Sequence, residues 1–254
     1  MAPVDPAPTL IGSVQRALRL LEAAAGHPGG APAKQLAREA EVALPTAYHL
    51  LRTLAHEGYV RRDRGVYLLA EAAERLGGAA VQQNRRGMIN DALAYCRDTL
   101  GAPVYLAVYR EGEIEIVAVA DTPAHPAVEE WADFRETGHA HAIGQCLLSQ
   151  LGEKARRDHL DRHPIQYVTP YSVRSEDAFL RRLAAVDRMQ PVLEHQEYAL
   201  GTVCAAIPLM AGNTAMAIGF SLPTHQEERL LPTLARLERE VGKLLGTLGF
   251  SISI

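Results

Sequence analysis

Residues 36–69, LAREAEVALPTAYHLLRTLAHEGYVRRDRGVYLL, decide the architecture of this chain. Leu36, Ala37 and Ala40 share one face of a short helix over Ala33–Ala40. After Glu41-Val42-Ala43, the residues Ala47, Leu50, Leu51 and Leu54 share one face of a second helix over Pro45–His56. Pro45 suits a first helical turn, where its missing N–H is not needed, and Gly58 ends the helix. Tyr59–Arg62 and Val66–Leu69 then flank Asp63-Arg64-Gly65, which reads as a hairpin of two short strands. Upstream, Val14, Ala17, Leu18 and Leu21 predict a helix over Ser13–Ala25 with Ser13 as N-cap, and GHPGGAP at 26–32 breaks the chain. Three helices, a tight turn between the second and third, and a basic hairpin make a winged helix-turn-helix. Such a head places one helix in a DNA major groove while Arg61, Arg62 and Arg64 on the hairpin reach the flanking backbone. The plainer alternative is a small helical domain whose charges are only solvated, and the order and spacing of the elements weigh against it.

The remaining composition fits that reading. With 254 residues, 48% of them apolar and 22% charged, the chain has the make-up of a soluble globular protein long enough for more than one domain. No stretch approaches the ~18 uncharged apolar residues of a membrane span. The opening MAPVDPAPTL lacks the cationic start and apolar run of a secretory signal. Cys96, Cys146 and Cys204 are isolated and odd in number, which argues for a reducing cytoplasm. The net charge of −4 conceals an asymmetry: residues 1–90 hold eleven basic and eight acidic side chains, while the remainder carries −7. A small basic head on an acidic body suits a nucleic-acid partner for the head alone.

Beyond the hairpin, an alanine-rich stretch from Ala70 to about Asn84 reads as a linker helix, and Arg85-Arg86-Gly87 marks a boundary. A helix is expected over Met88–Leu100, followed by a second hairpin of Val104–Arg110 and Glu113–Ala120, and residues 121–142 are irregular. Helices are expected over Ile143–Leu151, Glu153–Arg162 and Ser175–Met189, strands over Thr202–Pro208 and Ala215–Ser221, and a last helix over Thr224–Leu248. Strand pairs separated by helices predict an α+β domain with a mostly antiparallel sheet. The expected division is 10–70 for the winged head, 71–87 for the linker helix and 88–250 for the second domain.

The runs SVQRALRLLEAAA and LAREAEVALPTAYHLLRTLAHEGYVRRDRGVYLL resemble the head of the IclR family of transcriptional regulators. HAIGQCLLSQL, YVTPYSVRSEDAFLRRLAAV and EHQEYALGTVCAAIPL resemble that family's effector domain, in the same order, so the likeness runs from about Ile11 to Leu248. It implies a winged helix-turn-helix, a linker helix and a GAF-like effector-binding domain. The chain departs from the family pattern at Glu41, where a glycine is usual in the turn, at Pro45 for a capping serine, at His49 for an arginine and at Gln145 for a basic residue.

On the third helix Thr46, Tyr48, His49 and Arg52 lie off the apolar face, towards the end that meets base edges. Arg52 can grip guanine bidentately or hold phosphate, and Tyr48 can contact a base or pack between helices. Gln15, Arg16 and Lys34 are candidates for backbone contacts. In the second half the resemblance implies an effector pocket lined by Ala142, Ile143, Gly144, Glu194, Cys204, Gly219 and Ser221. Backbone N–H groups at a helix N-terminus near Ile143 favour an anionic oxygen, whereas the Glu194 carboxylate opposes one. His139-Ala-His141 and His159-x-Asp161-x-His163 have spacings a metal can use, yet neither supplies a third fixed ligand. No nucleotide loop, nucleophile elbow or H-E-x-x-H motif is present, so no cofactor or catalytic centre is expected. The expected protein is a cytoplasmic regulator, a homodimer or homotetramer, that reads a palindromic operator in double-stranded DNA and answers a small-molecule effector. The rival readings are an enzyme with a vestigial winged appendage and an adaptor that uses the helix-turn-helix for protein contact.

Overall fold

The structure, a computed structural model, describes residues 10–129, 132–185 and 187–248. Contacts divide the chain into two compact units that meet in sequence between Arg86 and Gly87.

The first unit contains helices α1 (Gly12–Ala25), α2 (Ala33–Glu39) and α3 (Leu44–His56), then strands β1 (Val60–Asp63) and β2 (Val66–Leu69). Its core gathers Leu20, Leu36, Leu51 and Val60 from four of these elements. α2 ends in a Schellman turn: the Val42 N–H donates to Ala37 O at 2.8 Å and the Glu41 N–H to Arg38 O at 3.3 Å. That turn holds Glu41 at φ 54°, the left-handed region where a side chain costs ~1 kcal/mol, which explains the usual glycine at this place. α3 closes the same way on Gly58 at φ 73°. β1 and β2 pair antiparallel from Val60↔Leu69 to Asp63↔Val66, so the hairpin loop is Arg64-Gly65. Both loop residues have positive φ, as a two-residue turn matching the strand twist requires.

Two details of α1 differ from the sequence reading. The helix starts at Gly12 with Ile11 as its uncapped boundary, so Ser13 is inside it and not its cap. The inward face is Leu20 and Ala24, with Ala17 and Leu21 packed beside them, whereas Val14 and Leu18 are half exposed. Both faces of α1 are apolar enough that the pattern alone does not choose between them.

One helix, α4 (Glu71–Leu100), runs unbroken through Arg85-Arg86-Gly87. The expected linker helix and the helix after it are therefore a single element. An isolated glycine weakens a helix by about 1 kcal/mol but does not remove a backbone donor, so Gly87 among good helix formers interrupts nothing.

The second unit is built on a five-stranded antiparallel sheet ordered β4-β3-β7-β6-β5, from β3 (Val104–Arg110), β4 (Glu113–Ala120), β5 (Val192–His195), β6 (Thr202–Ala211) and β7 (Thr214–Pro223). The C-terminal part of α4 and the last helix, α8 (Leu230–Leu248), bury Leu93, Cys96, Leu234 and Leu237 against one face, on Val104, Ala205 and Phe220. The opposite face takes α5 (Ala142–Gln150) through Ile143, Cys146 and Leu147 on Ala107, Ala206 and Ala217. Helices α6 (Glu153–Arg162) and α7 (Glu176–Ala185) add a smaller cluster around Phe179 and Leu160.

α7 is shorter than the helix expected over Ser175–Met189. The final helix also differs, for a 3₁₀ turn at Thr224–Arg229 precedes α8. Pro232 supplies no N–H and is tolerated only in a first turn, which places the α-helical start at Leu230. Strand β5 went unpredicted, because four residues carrying Glu194 and His195 look like a loop. Outer strand β4 leaves Ile116, Val117 and Val119 exposed by 36%, 41% and 44%. Among the described residues no helix is long and apolar enough to cross a membrane.

Candidate functional site

Because α3 turns Ala47, Leu51 and Leu54 inward, its outward face presents Tyr48, His49 and Arg52, with Thr46 half-buried near its start. Tyr48 is 46% exposed, which favours a contact surface over packing between helices. The face continues to Thr53 and His56, one turn on, which the sequence reading left out although the i, i+3 and i+4 spacing carries them. Thr53 Oγ1 donates back to His49 O at 3.2 Å. Arg61, Arg62 and Arg64 are all exposed on the hairpin; Arg61 lies 3.8 Å from Asp63, and the Arg62 guanidinium sits 5.9 Å from the Tyr67 ring centre. Arg16 folds onto its own helix, Nε donating to Gly12 O at 2.9 Å, while Gln15 is half-buried and Lys34 exposed. Among the described residues Lys34, Arg52, Arg62 and Arg64 form no ion pair. Unpaired cations on one small unit are what a polyanion displaces counterions to reach.

In the second unit a cavity of about 560 Å³ opens between the sheet, the start of α5 and the loop after β4. Ile114, Ile116, Val119 and Ile143 give it apolar walls, and Tyr105, Phe134, His141 and Tyr198 line it as well. Of the residues implied by resemblance, Ala142, Ile143, Cys204 and Ser221 line this cavity. Gly144, Gly219 and Glu194 do not, and each has another role. A Cβ on Gly144 would fall 2.5 Å from the Gly138 Cα, and one on Gly219 would fall 2.8 Å from Ala205 O and 2.9 Å from an Ile143 carbon. Both glycines exist to let backbones close up. Glu194 is fully buried on β5, and its Oε1 accepts the N–H groups of Glu197 and Tyr198, the latter at 3.3 Å. Burial pushes its carboxyl up to about 7, so the anion-repelling charge feared from the sequence is weakened and lies behind the wall.

His141 organises the rim. It caps α5, its Nδ1 accepting the Gly144 N–H at 2.8 Å, so its Nε2 carries the proton and donates to Phe134 O at 2.9 Å. Its ring stacks on Phe134 with centres 3.6 Å apart and meets Tyr198 edge-on at 5.6 Å. Burial drives its pKa down to about 3, which keeps the imidazole neutral. Burial likewise holds the Cys204 thiol protonated, with the neighbouring Glu194 adding to the effect. Tyr198 Oη donates to Ala132 O at 2.7 Å, and the Val128 N–H donates to Tyr105 Oη at 2.8 Å, so two tyrosines pin the loop over the cavity. The other histidine pairings are spent structurally: His139 on the Gln166 backbone, His163 on Glu113 at 2.7 Å, His159 near Gly112 O. Among the described residues no three His, Cys, Asp or Glu side chains are placed to hold a metal ion.

A winged helix-turn-helix bearing unpaired cations, joined in one chain to a unit with a ligand-sized cavity, defines a ligand-responsive transcriptional regulator. Residues 13–64 match the IclR helix-turn-helix domain and residues 85–244 the bacterial transcriptional regulator IclR C-terminal domain, and the chain belongs to the IclR family. That family consists of regulators, which removes the enzyme reading. The chain is 24% identical over 253 residues to the p-hydroxybenzoate hydroxylase transcriptional activator of Acinetobacter baylyi, covering 92% of each. It is 23% identical over 211 residues to the Pca operon regulatory protein of the same organism, covering 78% of this chain and 75% of that one. The fold is shared with an IclR homologue of Microbacterium hydrocarbonoxydans solved in complex with 4-hydroxybenzoate, at TM-score 0.57 and 20% identity over 94% of this chain and all of that one.

Proposed function

We propose that the head reads a palindromic operator as part of a homodimer or homotetramer, and that the cavity bounded by Ala142, Ile143, Cys204 and Ser221 is where the effector binds. The observation that carries this reading is the cavity itself: about 560 Å³, walled by apolar side chains and a few oriented polar groups, in a different compact unit from the DNA-reading elements. A palindrome follows from geometry, since two copies related by a two-fold axis present two recognition helices at a fixed spacing. Thr46, Tyr48, His49 and Arg52 then face base edges, while Gln15, Arg16, Lys34, Arg61, Arg62 and Arg64 hold the backbone. The regulator acts in the cytoplasm, and effector and operator favour different states of the protein, which is the thermodynamic content of its response. A hydroxybenzoate, the ligand held by the Microbacterium homologue, is the first compound to try.

The test is fluorescence anisotropy on duplexes tiled across the intergenic region beside the gene, with and without 4-hydroxybenzoate. A salt-sensitive complex on one duplex, shifted by the compound in the wild type and unshifted in a cavity-filling Ile116→Trp variant, is expected. Equal binding to every duplex, or an unchanged response in that variant, would count against the reading.

A further inference from the structure

This inference rests on the cavity being the effector site and adds what the effector must offer it. Tyr105 Oη already accepts the Val128 N–H at 2.8 Å, and it lies 3.2 Å from Ser221 Oγ. Ser221 is 95% buried at that place, since 5% of it is exposed. Burial pushes the Tyr105 phenol above its ordinary pKa, so both hydroxyls keep their protons. Two O–H groups therefore face each other with two protons between them, and only one proton fits in the shared hydrogen bond. Whichever oxygen donates, the other O–H is left over, and no acceptor for it exists among the described residues. The remaining lining groups do not take it up. Both His141 nitrogens are engaged, the Cys204 thiol is protonated, and the Asp133 carboxylate, which also lines the cavity, forms no hydrogen bond with either hydroxyl. At the exposed rim the Arg135 guanidinium forms no ion pair among the described residues, while the Arg135 N–H donates to Asp133 Oδ1 at 2.8 Å.

We infer that the Tyr105–Ser221 hydroxyl pair is the specificity-determining element of the cavity, selecting a small carboxylate whose apolar body carries a second, acceptor oxygen. The spare O–H meets that oxygen, the apolar walls take the body, and Arg135 is the cation for the carboxylate. An analogue of equal size without the acceptor leaves the O–H buried and unpaired, and that is the source of discrimination.

The experiment is calorimetric titration of the full chain with 4-hydroxybenzoate, 4-formylbenzoate and 4-methylbenzoate. The formyl compound accepts but does not donate, and the methyl compound does neither at similar size. The wild type is expected to bind the first two on the order of tenfold or more tightly than the third. Because either hydroxyl alone can still supply a proton, Ser221→Ala keeps the preference, whereas Tyr105→Phe combined with Ser221→Ala loses it; since the double variant also releases the Val128 N–H, its readout is the ratio of affinities among the three compounds and not their absolute values. Equal wild-type affinity for all three compounds, no binding of any of them, or a preference surviving in the double variant overturns the assignment. The Ile116→Trp variant separates the two levels, since Ile116 is already 36% exposed and a larger ring there disturbs no core. If it blocks binding while the preference survives the double variant, only the hydroxyl assignment falls. If it leaves binding intact, the cavity is not the site and both readings fall.

Discussion

The two oxygens of Glu194 live in different circumstances. Oε1 accepts two backbone N–H groups, while Oε2 is buried with no N–H or O–H donor, and the Cys204 thiol, opposite in the β5–β6 register, is the carboxyl's side-chain neighbour. Desolvation raises the carboxyl from its ordinary 4.5 to about 7, partly opposed by the Cys204 thiol and then by the two backbone N–H groups. Linkage then has a definite sign. Below about pH 4.5 the group is neutral in folded and unfolded chains and costs nothing. Between that value and about 7 the unfolded chain ionises more readily than the folded one, so stability falls as pH rises, and the full cost remains above 7. The gap corresponds to a loss of up to ~3 kcal/mol. Glu194→Gln keeps an acceptor for the Glu197 and Tyr198 N–H groups and removes the titration. Urea unfolding at about pH 5 and about pH 8 should show the wild type losing stability between them and the variant much less; parallel losses would refute the assignment. The sequence singled out Glu194 but could not orient it, because its burial depends on a strand pairing that no local pattern announces. Tyr105, Phe134 and Tyr198 were missed for the related reason that contacts spanning 23 to 116 residues of chain bring them to one wall. Ala142, Ile143, Cys204 and Ser221 were legible only through resemblance, since nothing in their own spacing speaks of a cavity.

At the scale of elements, the hairpin β1–β2 offers the clearest expectation. Arg61, Arg62 and Arg64 are exposed, and two of them, Arg62 and Arg64, are free of ion pairs among the described residues. Replacing all three with alanine should weaken operator and random duplex alike and flatten the slope of log affinity against log salt by about 2–3. A loss confined to the operator would show instead that the hairpin reads bases. This head was well written in the sequence: helical spacing, a proline in the first turn of α3 and glycines at Gly58 and Gly65 each carry a local physical reason. The failures had equally local causes. α1 has apolar residues on more than one face, α4 contains glycines without a break, and β5 is too short and too polar to show period two.

For the whole molecule, the division into two compact units predicts two calorimetric transitions. A bound effector at about a hundred times its Kd stabilises its own unit by ~2.7 kcal/mol. One transition should therefore move up by several degrees on adding ligand while the other stays, and operator DNA should move the one that ligand does not. A single transition shifted by both would show that the units unfold together. The outer strand β4 has a less welcome consequence. Glu113 and Glu115 guard its first half, but Ile116, Val117 and Val119 leave the second half β-branched, uncharged and open to water along an unpaired edge. Such a segment is a template for sticking to another copy of itself. Ile116 and Val119 are also cavity walls, so an effector bound as proposed would cover part of this apolar side-chain surface while leaving the strand's backbone edge open. On the proposed function, the ligand-free protein is expected to precipitate before the ligand-bound one on concentration, which light scattering with and without the compound checks.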